Sequence, residues 1–174
     1  MNFINKYIKA VDKLNSKIGI GVSYLTALLV IVVCYDVVTR YFFKSSSVAI
    51  QELEWHLFAV IFLLGGGYTL LTENHVRVDI IYVRLSEKKK AWINILGTFF
   101  FLIPFSLMIL YTSWNFVENS FLISETSPDP GGLPARFIIK SILPIAFVFI
   151  LLQGISLLFK SILIVAGKFN TKEN

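Results

Sequence analysis

The sequence predicts an all-α integral membrane protein with four transmembrane helices. Three observations lead to this fold class. Hydrophobic residues make up 56% of the 174 positions and the mean hydropathy is +0.72, which is too apolar for an ordinary soluble domain of this length. Four segments are long enough to cross a hydrocarbon core, which takes about 20 apolar residues. Lysine and arginine also alternate between crowded and sparse connections along the chain.

The spans are set by runs with little or no charge. They are expected to be helical because the bilayer interior offers the backbone no water to hydrogen-bond. The run from Ala91 to Val117 carries no charge, and the last run has a single lysine, Lys140, near its start. The predicted spans are about 18–43, 51–71, 88–117 and 135–160, within a transmembrane domain at 18–166 that precedes a cytoplasmic tail at 167–174.

The distribution of basic residues predicts the orientation. The N-terminal segment, the connection between spans 2 and 3 and the C-terminal segment hold twelve lysines and arginines, whereas the two other connections hold four. The positive-inside rule therefore places both termini in the cytoplasm and the loops around Ser46 and Pro128 outside. These flanking charges also explain the net charge of +5. Because they lie beside apolar spans rather than among exposed aromatic residues, no nucleic-acid partner is predicted.

Residues 1–17 are predicted to form an amphipathic interfacial helix ahead of the first span. Apolar residues recur there at steps of three and four, on the face opposite Asn5, Lys6, Lys9, Asp12 and Lys13. We expect this helix to lie in the inner interface, with its lysines near the anionic headgroups of membrane lipids. Gly19 and Gly21 would let the chain turn into the span. The apolar run is too long for a cleaved signal peptide.

Residues for catalysis or cofactor binding are missing at any common depth. His56 and His75 lie 19 residues apart, which is about 28 Å along a helix, so they cannot share a haem or a metal ion. Cys34 is the single cysteine, which excludes a cysteine-based cluster. No charge lies in the middle of a span, which counts against a proton relay or ion pathway through this chain alone. We therefore predict no enzyme, no cofactor and no metal site.

Small and polar residues in mid-membrane predict close helix packing instead. The run Gly65, Gly66 and Gly67 is not a phosphate loop, since no Gly-Lys-Ser/Thr follows it. Such small residues let helix backbones approach, and Gln153 can hydrogen-bond across a helix interface. Pro144 is expected to kink the fourth span, as Pro104 would the third.

Two connections have distinctive sequences. Residues 118–134, "ENSFLISETSPDPGGLP", are predicted to form a structured turn region rather than a helix, which either joins two spans or meets an outside partner. Residues 72–80, "TENHVRVDI", follow the second span. We predict a short interfacial helix there, with His75 and Asp79 capping or pairing with nearby backbone and Arg77, and Ser86 as the N-cap of the next helix.

Several motifs follow one another along the chain. They are "RYFF" from Arg40 to Phe43, Glu52 twelve positions later, "LLGGGYTLLTENHVRVDI" with His75 and Asp79 in a His-hydrophobic-x-hydrophobic-Asp pattern, and Pro134, Phe137, Pro144 and Gln153. Together they resemble one family of membrane proteins, the small membrane subunit of tripartite ATP-independent periplasmic (TRAP) transporters. The resemblance covers roughly residues 18–160.

The resemblance implies a stable complex with a large membrane subunit that carries the substrate and sodium sites and moves as an elevator. A periplasmic binding protein would deliver an organic acid, such as a C4-dicarboxylate or sialic acid. This chain would be a non-catalytic scaffold in a bacterial or archaeal inner membrane. Within this interpretation we expect Arg40 and Glu52 to form an interhelix ion pair worth about 1 kcal/mol or less. Two alternatives remain open: a stand-alone homo-oligomeric channel or exchanger, and a membrane-anchor subunit of a respiratory complex.

Overall fold

A computed structural model describes residues 2–72 and 85–168. All regular structure in these ranges is helical. The elements are α1 (Asn2–Phe42), α2 (Val48–Leu71), α3 (Glu87–Gly97), a π-helical turn (Thr98–Leu102), α4 (Ile103–Leu122) and α5 (Arg136–Val165). Since α3, the π-turn and α4 are continuous, the helices make four rods, each long and apolar enough to cross a membrane. The prediction of four spanning helices is thereby confirmed. His75, Asp79 and the interfacial helix predicted around them lie outside the described residues.

Helix α5 is the centre of the arrangement. It contacts α1, α2, α3, the π-turn and α4, whereas α1 packs mainly on α2 and α5, and α4 packs mainly on α5. We call the end of the bundle where α1 begins and α5 finishes the terminal end. The opposite end, which carries the connections 43–47 and 123–135, is the loop end.

Helix α1 is one continuous helix of 41 residues. The turn expected at Gly19 and Gly21 is therefore absent, while the interfacial position predicted for residues 1–17 stays a prediction. Gly19 instead allows α1 and α2 to cross closely, because a Cβ atom built there would overlap the ring of Tyr68. Gly21 faces open space, so nothing at that position bends the helix.

The first turns of α1 pack against protein. Ile8 and Val11 are buried. The ring of Tyr7 packs edge-on against Phe159 of α5 with 5.7 Å between centroids, and its hydroxyl donates a 3.1 Å hydrogen bond to the carbonyl of Leu152. The apolar stripe that was expected to face lipid is thus used against α5.

The π-turn replaces the simple kink that was expected at Pro104. The Ile103 N–H donates to the carbonyl of Thr98, five residues back, instead of four. Pro104, in the first turn of α4, has no N–H and its ring clashes with a carbonyl four residues back in a regular helix. The wider turn brings Leu102 against Gly154 of α5, where a Cβ atom would overlap the leucine side chain. Pro144 lies inside α5 without ending it.

Helix α4 packs on α5 through a column of serines. Ser106, Ser113 and Ser120 follow a spacing of seven residues and are all buried. Side chains this small let two helix backbones approach closely in a membrane. Two edge-to-face aromatic pairs flank the column, with 5.9 and 5.2 Å between ring centroids: Phe105 with Phe147, and Phe121 with Phe137.

Helix α4 is longer than predicted. It continues to Leu122, so residues 118–122, which were assigned to the turn region, are helical. The burial of Ser120 against the bundle explains this extension. The turn region proper is 123–135, and α5 continues to Val165 rather than 160. Ser86 occupies the N-cap position of α3 as predicted, without a side-chain capping bond.

The three consecutive glycines of α2 have different surroundings. A Cβ atom at Gly65 would meet only Val22, at an ordinary 3.9 Å, and one at Gly66 would lie 3.1 Å from the flexible end of Ile150. At Gly67 the added atom would overlap Oδ1 of Asn15. Only Gly67 lies where α1 leaves no room for a side chain.

We predict that Gly67→Ala destabilises the protein by roughly 1 to 3 kcal/mol, because the extra methyl overpacks the contact with Asn15. Gly65→Ala is the matched control and should change stability by less than about 0.5 kcal/mol, as for a site without crowding. Thermal unfolding in detergent measures both. Equal effects of the two substitutions would contradict the assigned contact, as would a failure of Asn15→Ala to relieve part of the Gly67→Ala defect.

Candidate functional site

A buried polar cluster joins α1 to α5 near the terminal end. We call it the Asp12 cluster, and it contains Asp12, Asn15, Gln153, Ser156 and Lys160. Asn15 and Gln153 are 0% and 1% exposed, although both carry a polar amide. Because a buried amide is costly unless it is hydrogen-bonded, the helices must meet in a register that pairs these groups.

Each member of the Asp12 cluster contacts another. The Asn15 amide donates to Oε1 of Gln153 at 2.9 Å, and the Gln153 amide donates to Oδ1 of Asp12 at 3.0 Å. Ser156 donates to the same oxygen at 3.1 Å, while the Lys160 ammonium lies 2.6 Å from Oδ2 of Asp12. Both carboxylate oxygens are therefore engaged by protein groups. The arrangement locks α1 onto α5 and leaves the carboxylate no free oxygen for a ligand.

A second buried cluster lies at the loop end. We call it the Glu52 cluster, and it consists of Glu52, Ser127, Leu133 and Arg136. Glu52 is 4% exposed. Its Oε1 accepts hydrogen bonds from the Ser127 hydroxyl at 2.5 Å and the Arg136 guanidinium at 3.0 Å, and its Oε2 accepts one from the Leu133 N–H at 2.5 Å. One carboxylate of α2 thus holds the 123–135 loop at both Ser127 and Leu133, as well as the start of α5.

The surroundings of the Glu52 cluster leave no spare room. A Cβ atom at Gly132 would lie 2.8 Å from Oε2 of Glu52 and would overlap the hydroxyl of Ser127. The Arg136 guanidinium also lies 5.9 Å from the ring centroid of Trp55, within the range of a cation–π contact. The loop therefore needs glycine at 132 to reach the carboxylate.

The predicted ion pair between Arg40 and Glu52 is wrong. Arg40 pairs with Asp36, four residues earlier on α1, as their spacing also allowed. Glu52 is taken by Arg136, because the loop folds back over the start of α2. His56 likewise contacts the backbone carbonyl of Glu52, with 2.5 Å between its Nδ1 and that oxygen, rather than the carboxylate.

A further ion pair fastens the loop to α5. Glu125 pairs with Lys140, whose ammonium also lies 4.2 Å from the ring centroid of Phe116. The hydrogen bond from Lys140 holds the pKa of the Glu125 carboxyl below its ordinary value of 4.5. Together with the backbone bond from the Arg136 N–H to the Glu125 carbonyl, at 2.9 Å, it fixes the return of the loop into α5.

The two clusters are separated by about the thickness of a membrane core. Arg136 and Lys160 are 24 residues apart on α5, or about 36 Å, against roughly 30 Å for the hydrocarbon region. The central stretches of the described rods carry no Asp, Glu, Lys or Arg; these are 18–35, 57–71, 91–117 and 141–159. Among the described residues there is also no group of three or more His, Cys, Asp or Glu side chains that could hold a metal ion.

An open apolar groove of about 480 Å³ runs between the α3 to π-turn segment and α5. Leu70, Phe101 and Leu157 are among its lining residues, and Asn94 and Thr98 are the polar ones. None of the lining residues is ionisable. The groove is therefore suited to apolar contact and has no group that could carry out acid–base chemistry.

The described part of the chain is a set of rods long and apolar enough to span a membrane, bound together at both ends and uncharged between. Its sequence matches a known family. The family model described as "Tripartite ATP-independent periplasmic transporters, DctQ component" matches residues 29–163. The chain belongs to this family. The match covers more than three quarters of the chain and confirms the resemblance seen in the sequence. A comparison with curated proteins found no match.

The site residues predicted from the sequence of this DctQ component have different outcomes in the structure. Glu52 and Gln153 are centres of the two clusters, and Gly67 fits against the Asp12 cluster through Asn15. Arg40 forms its ion pair with Asp36 and not with Glu52. The roles predicted for His75 and Asp79 stay predictions, since both residues lie outside the described ranges.

Sequence reasoning missed the α1 half of the Asp12 cluster. Asp12 was assigned to the polar face beside lipid headgroups, whereas it faces α5. The signal for Asn15 was present: it follows Ile8 and Val11 at steps of three and four, so it lies on the same face as two apolar residues. Ser127 and Arg136 carried no comparable signal, because their partner is 75 or more residues away.

We predict that Glu52→Gln lowers the thermal unfolding midpoint in detergent by at least roughly 4 °C. The substitution removes the ion pair with Arg136 and presents an amide N–H₂ to groups that are themselves donors. The 123–135 loop should then be cut faster by protease. Glu118→Gln, on an exposed residue at the same end of the bundle, is the matched control and should leave both readouts unchanged. A Glu52→Gln protein as stable as the control would contradict the assigned cluster.

We also predict that Glu125 contributes to acid sensitivity. Its pKa is lower in the folded than in the unfolded protein, so its stabilisation is complete above about pH 4.5 and is lost as the pH falls through the lowered value. On acidification from pH 7 to 3.5, the unfolding midpoint of Glu125→Gln should fall less than that of the unsubstituted protein. Glu118→Gln should keep the original slope. Identical pH profiles for all three proteins would disprove the contribution.

Proposed function

We propose that this DctQ component is the non-catalytic scaffold subunit of a TRAP transporter. It would bind a large membrane subunit that performs sodium-coupled uptake of an organic acid delivered by a periplasmic binding protein. The observation that carries the proposal is the distribution of charge: the two buried clusters lie at opposite ends of the bundle, and the described stretches between them are uncharged.

Transport of an organic anion with sodium needs polar ligands near the middle of the membrane. Three of the polar side chains that the described part of the chain buries, Gln153, Ser156 and Asn15, are hydrogen-bonded to protein groups. Ser106, nearer the middle of its rod, is buried in the serine column that packs on α5. They stabilise contacts between helices of this chain. The proposal therefore assigns the substrate and the sodium ions to the large subunit.

The outer surface of the bundle supports a role in assembly. Large apolar side chains point outward on the rods, including Phe58 and Phe62 of α2, Phe99 and Phe100 of the π-turn, and Trp114 of α4. This surface suits contact with the helices of a larger membrane subunit as well as with lipid. Clusters that lock both ends would keep such a surface in a constant shape while the partner moves.

The orientation belongs to the same proposal. The twelve basic residues around the termini and the connection between α2 and α3 support a cytoplasmic terminal end. The Glu52 cluster and the 123–135 loop would then lie on the periplasmic side, where the binding protein docks.

We predict that a C-terminal tag on this chain copurifies the large membrane subunit encoded with it, and that the chain alone in proteoliposomes gives no sodium-dependent flux. Protease should remove the tag in inverted vesicles and leave it intact in spheroplasts. A tag on the large subunit should recover this chain in return.

Flux through the chain alone would favour the channel or exchanger, and a haem or flavin absorption band would favour a respiratory subunit. Either result, or no recovery of the large subunit, would refute the scaffold role.

A further inference from the structure

Four lysines of α1 form one continuous stripe. Lys6, Lys9, Lys13 and Lys17 are separated by three, four and four residues, so they project from a single face of the helix. All four are exposed. Within the described part of the chain none of them has a carboxylate within ion-pairing distance, in contrast to Lys160, which is bound to Asp12. We call these four residues the lysine stripe.

The Asp12 cluster determines where the lysine stripe points. At 100° per residue, the buried residues Ile8, Val11 and Asn15 lie on the side of α1 opposite the stripe. Asn15 and Asp12 are held by α5 through hydrogen bonds, which fixes the rotation of α1 about its axis. The stripe is thereby held facing away from the bundle, toward whatever surrounds the terminal end.

The stripe runs along the helix axis and extends toward the membrane core. It covers about 16 Å from Lys6 to Lys17, whereas one headgroup layer is roughly 5 to 8 Å thick. Lys17 lies about 7 Å beyond Asp12 toward the loop end. The next exposed side chains in that direction are apolar or aromatic: Ile20 is 55% and Tyr24 is 73% exposed. The cationic surface is therefore continuous with the surface that faces hydrocarbon.

We propose that the lysine stripe binds the phosphate groups of anionic phospholipids at the terminal end of the bundle. The charges are complementary, and the lysine stems are long enough to place their ammonium groups at the level of the phosphates while their methylenes lie against acyl chains. An acidic surface of another protein would match the charges as well. Lipid is the better match because the deep end of the stripe, around Lys17, merges with exposed apolar side chains.

The binding is tested on the full-length chain alone. Purified protein in phosphatidylcholine-containing micelles is titrated with dioleoyl phosphatidylglycerol, and the thermal unfolding midpoint is recorded; dioleoyl phosphatidylcholine serves as the uncharged reference. We expect the phosphatidylglycerol to raise the midpoint and the reference to have little effect. Replacing all four stripe lysines with glutamine should raise the half-saturating phosphatidylglycerol concentration at least about tenfold.

The matched control removes the same charge elsewhere. Glutamine at Lys44, Lys88, Lys89 and Lys168, which are also exposed but form no single stripe, should raise the half-saturating concentration less than the stripe substitution does. Arginine at the four stripe positions keeps the charge and should keep the response, which separates charge from folding. If the fourfold glutamine variant fails to fold, the double variant Lys13→Gln with Lys17→Gln replaces it. Its half-saturating phosphatidylglycerol concentration should be higher than that of the arginine variant.

Four results would overturn the proposal. The first is an equal response of the unsubstituted protein to both lipids, and the second is an equal loss in the matched control. The third is a loss of response in the arginine variant. The fourth is a glutamine variant that keeps its response to phosphatidylglycerol but no longer copurifies the large subunit, since the stripe would then be a protein contact. The lipid titration itself is independent of the scaffold role, because it uses this chain alone; only the fourth result involves the large subunit.

Discussion

The bond between α1 and α5 at Asp12 is the constraint on which much of the structure depends. The two amides, of Asn15 and Gln153, are buried and cannot rely on water, so they must find polar partners across the helix interface. That requirement aligns α1 with α5 and brings Asn15 against Gly67. It also holds the start of α1 against α5, whereas its amphipathic pattern alone was equally compatible with a helix lying on the membrane surface.

A second carboxylate, that of Glu52, performs the corresponding task at the other end with different chemistry. There the partners are a loop and a helix start rather than two helix interiors. Between the two clusters the helices associate through small residues, such as the serine column of α4 and Gly154 of α5, which permit close backbone contact. Ends held by polar clusters and a closely packed, uncharged middle are what the proposed scaffold role requires.

The membrane as solvent made most of the fold predictable from the sequence. Long uncharged runs can only be spanning helices, so their number and approximate bounds followed from composition. Pairings that depend on tertiary structure did not follow: the distance of twelve residues from Arg40 to Glu52 made them near neighbours in sequence, but it could not reveal that residues 127–136 fold back to occupy the carboxylate. Asn15 was predictable in principle, since its place on an apolar face was visible. The π-turn was not, because a proline indicates a disturbance of the helix but not its form.

One bond in the Glu52 cluster has a consequence for how this loop can diversify. The carboxylate is bound at position 133 by a main-chain N–H, which every amino acid except proline supplies. The bond from residue 133 to Glu52, which anchors the loop, therefore depends little on the side chain at 133. It does require glycine at 132, where a Cβ atom would be too close to Glu52 and Ser127. Asp129, near the tip of the loop, has an exposed side chain whose carboxylate takes no part in this anchor. The loop is thus a fixed frame whose exposed face can change in sequence without loss of the anchor.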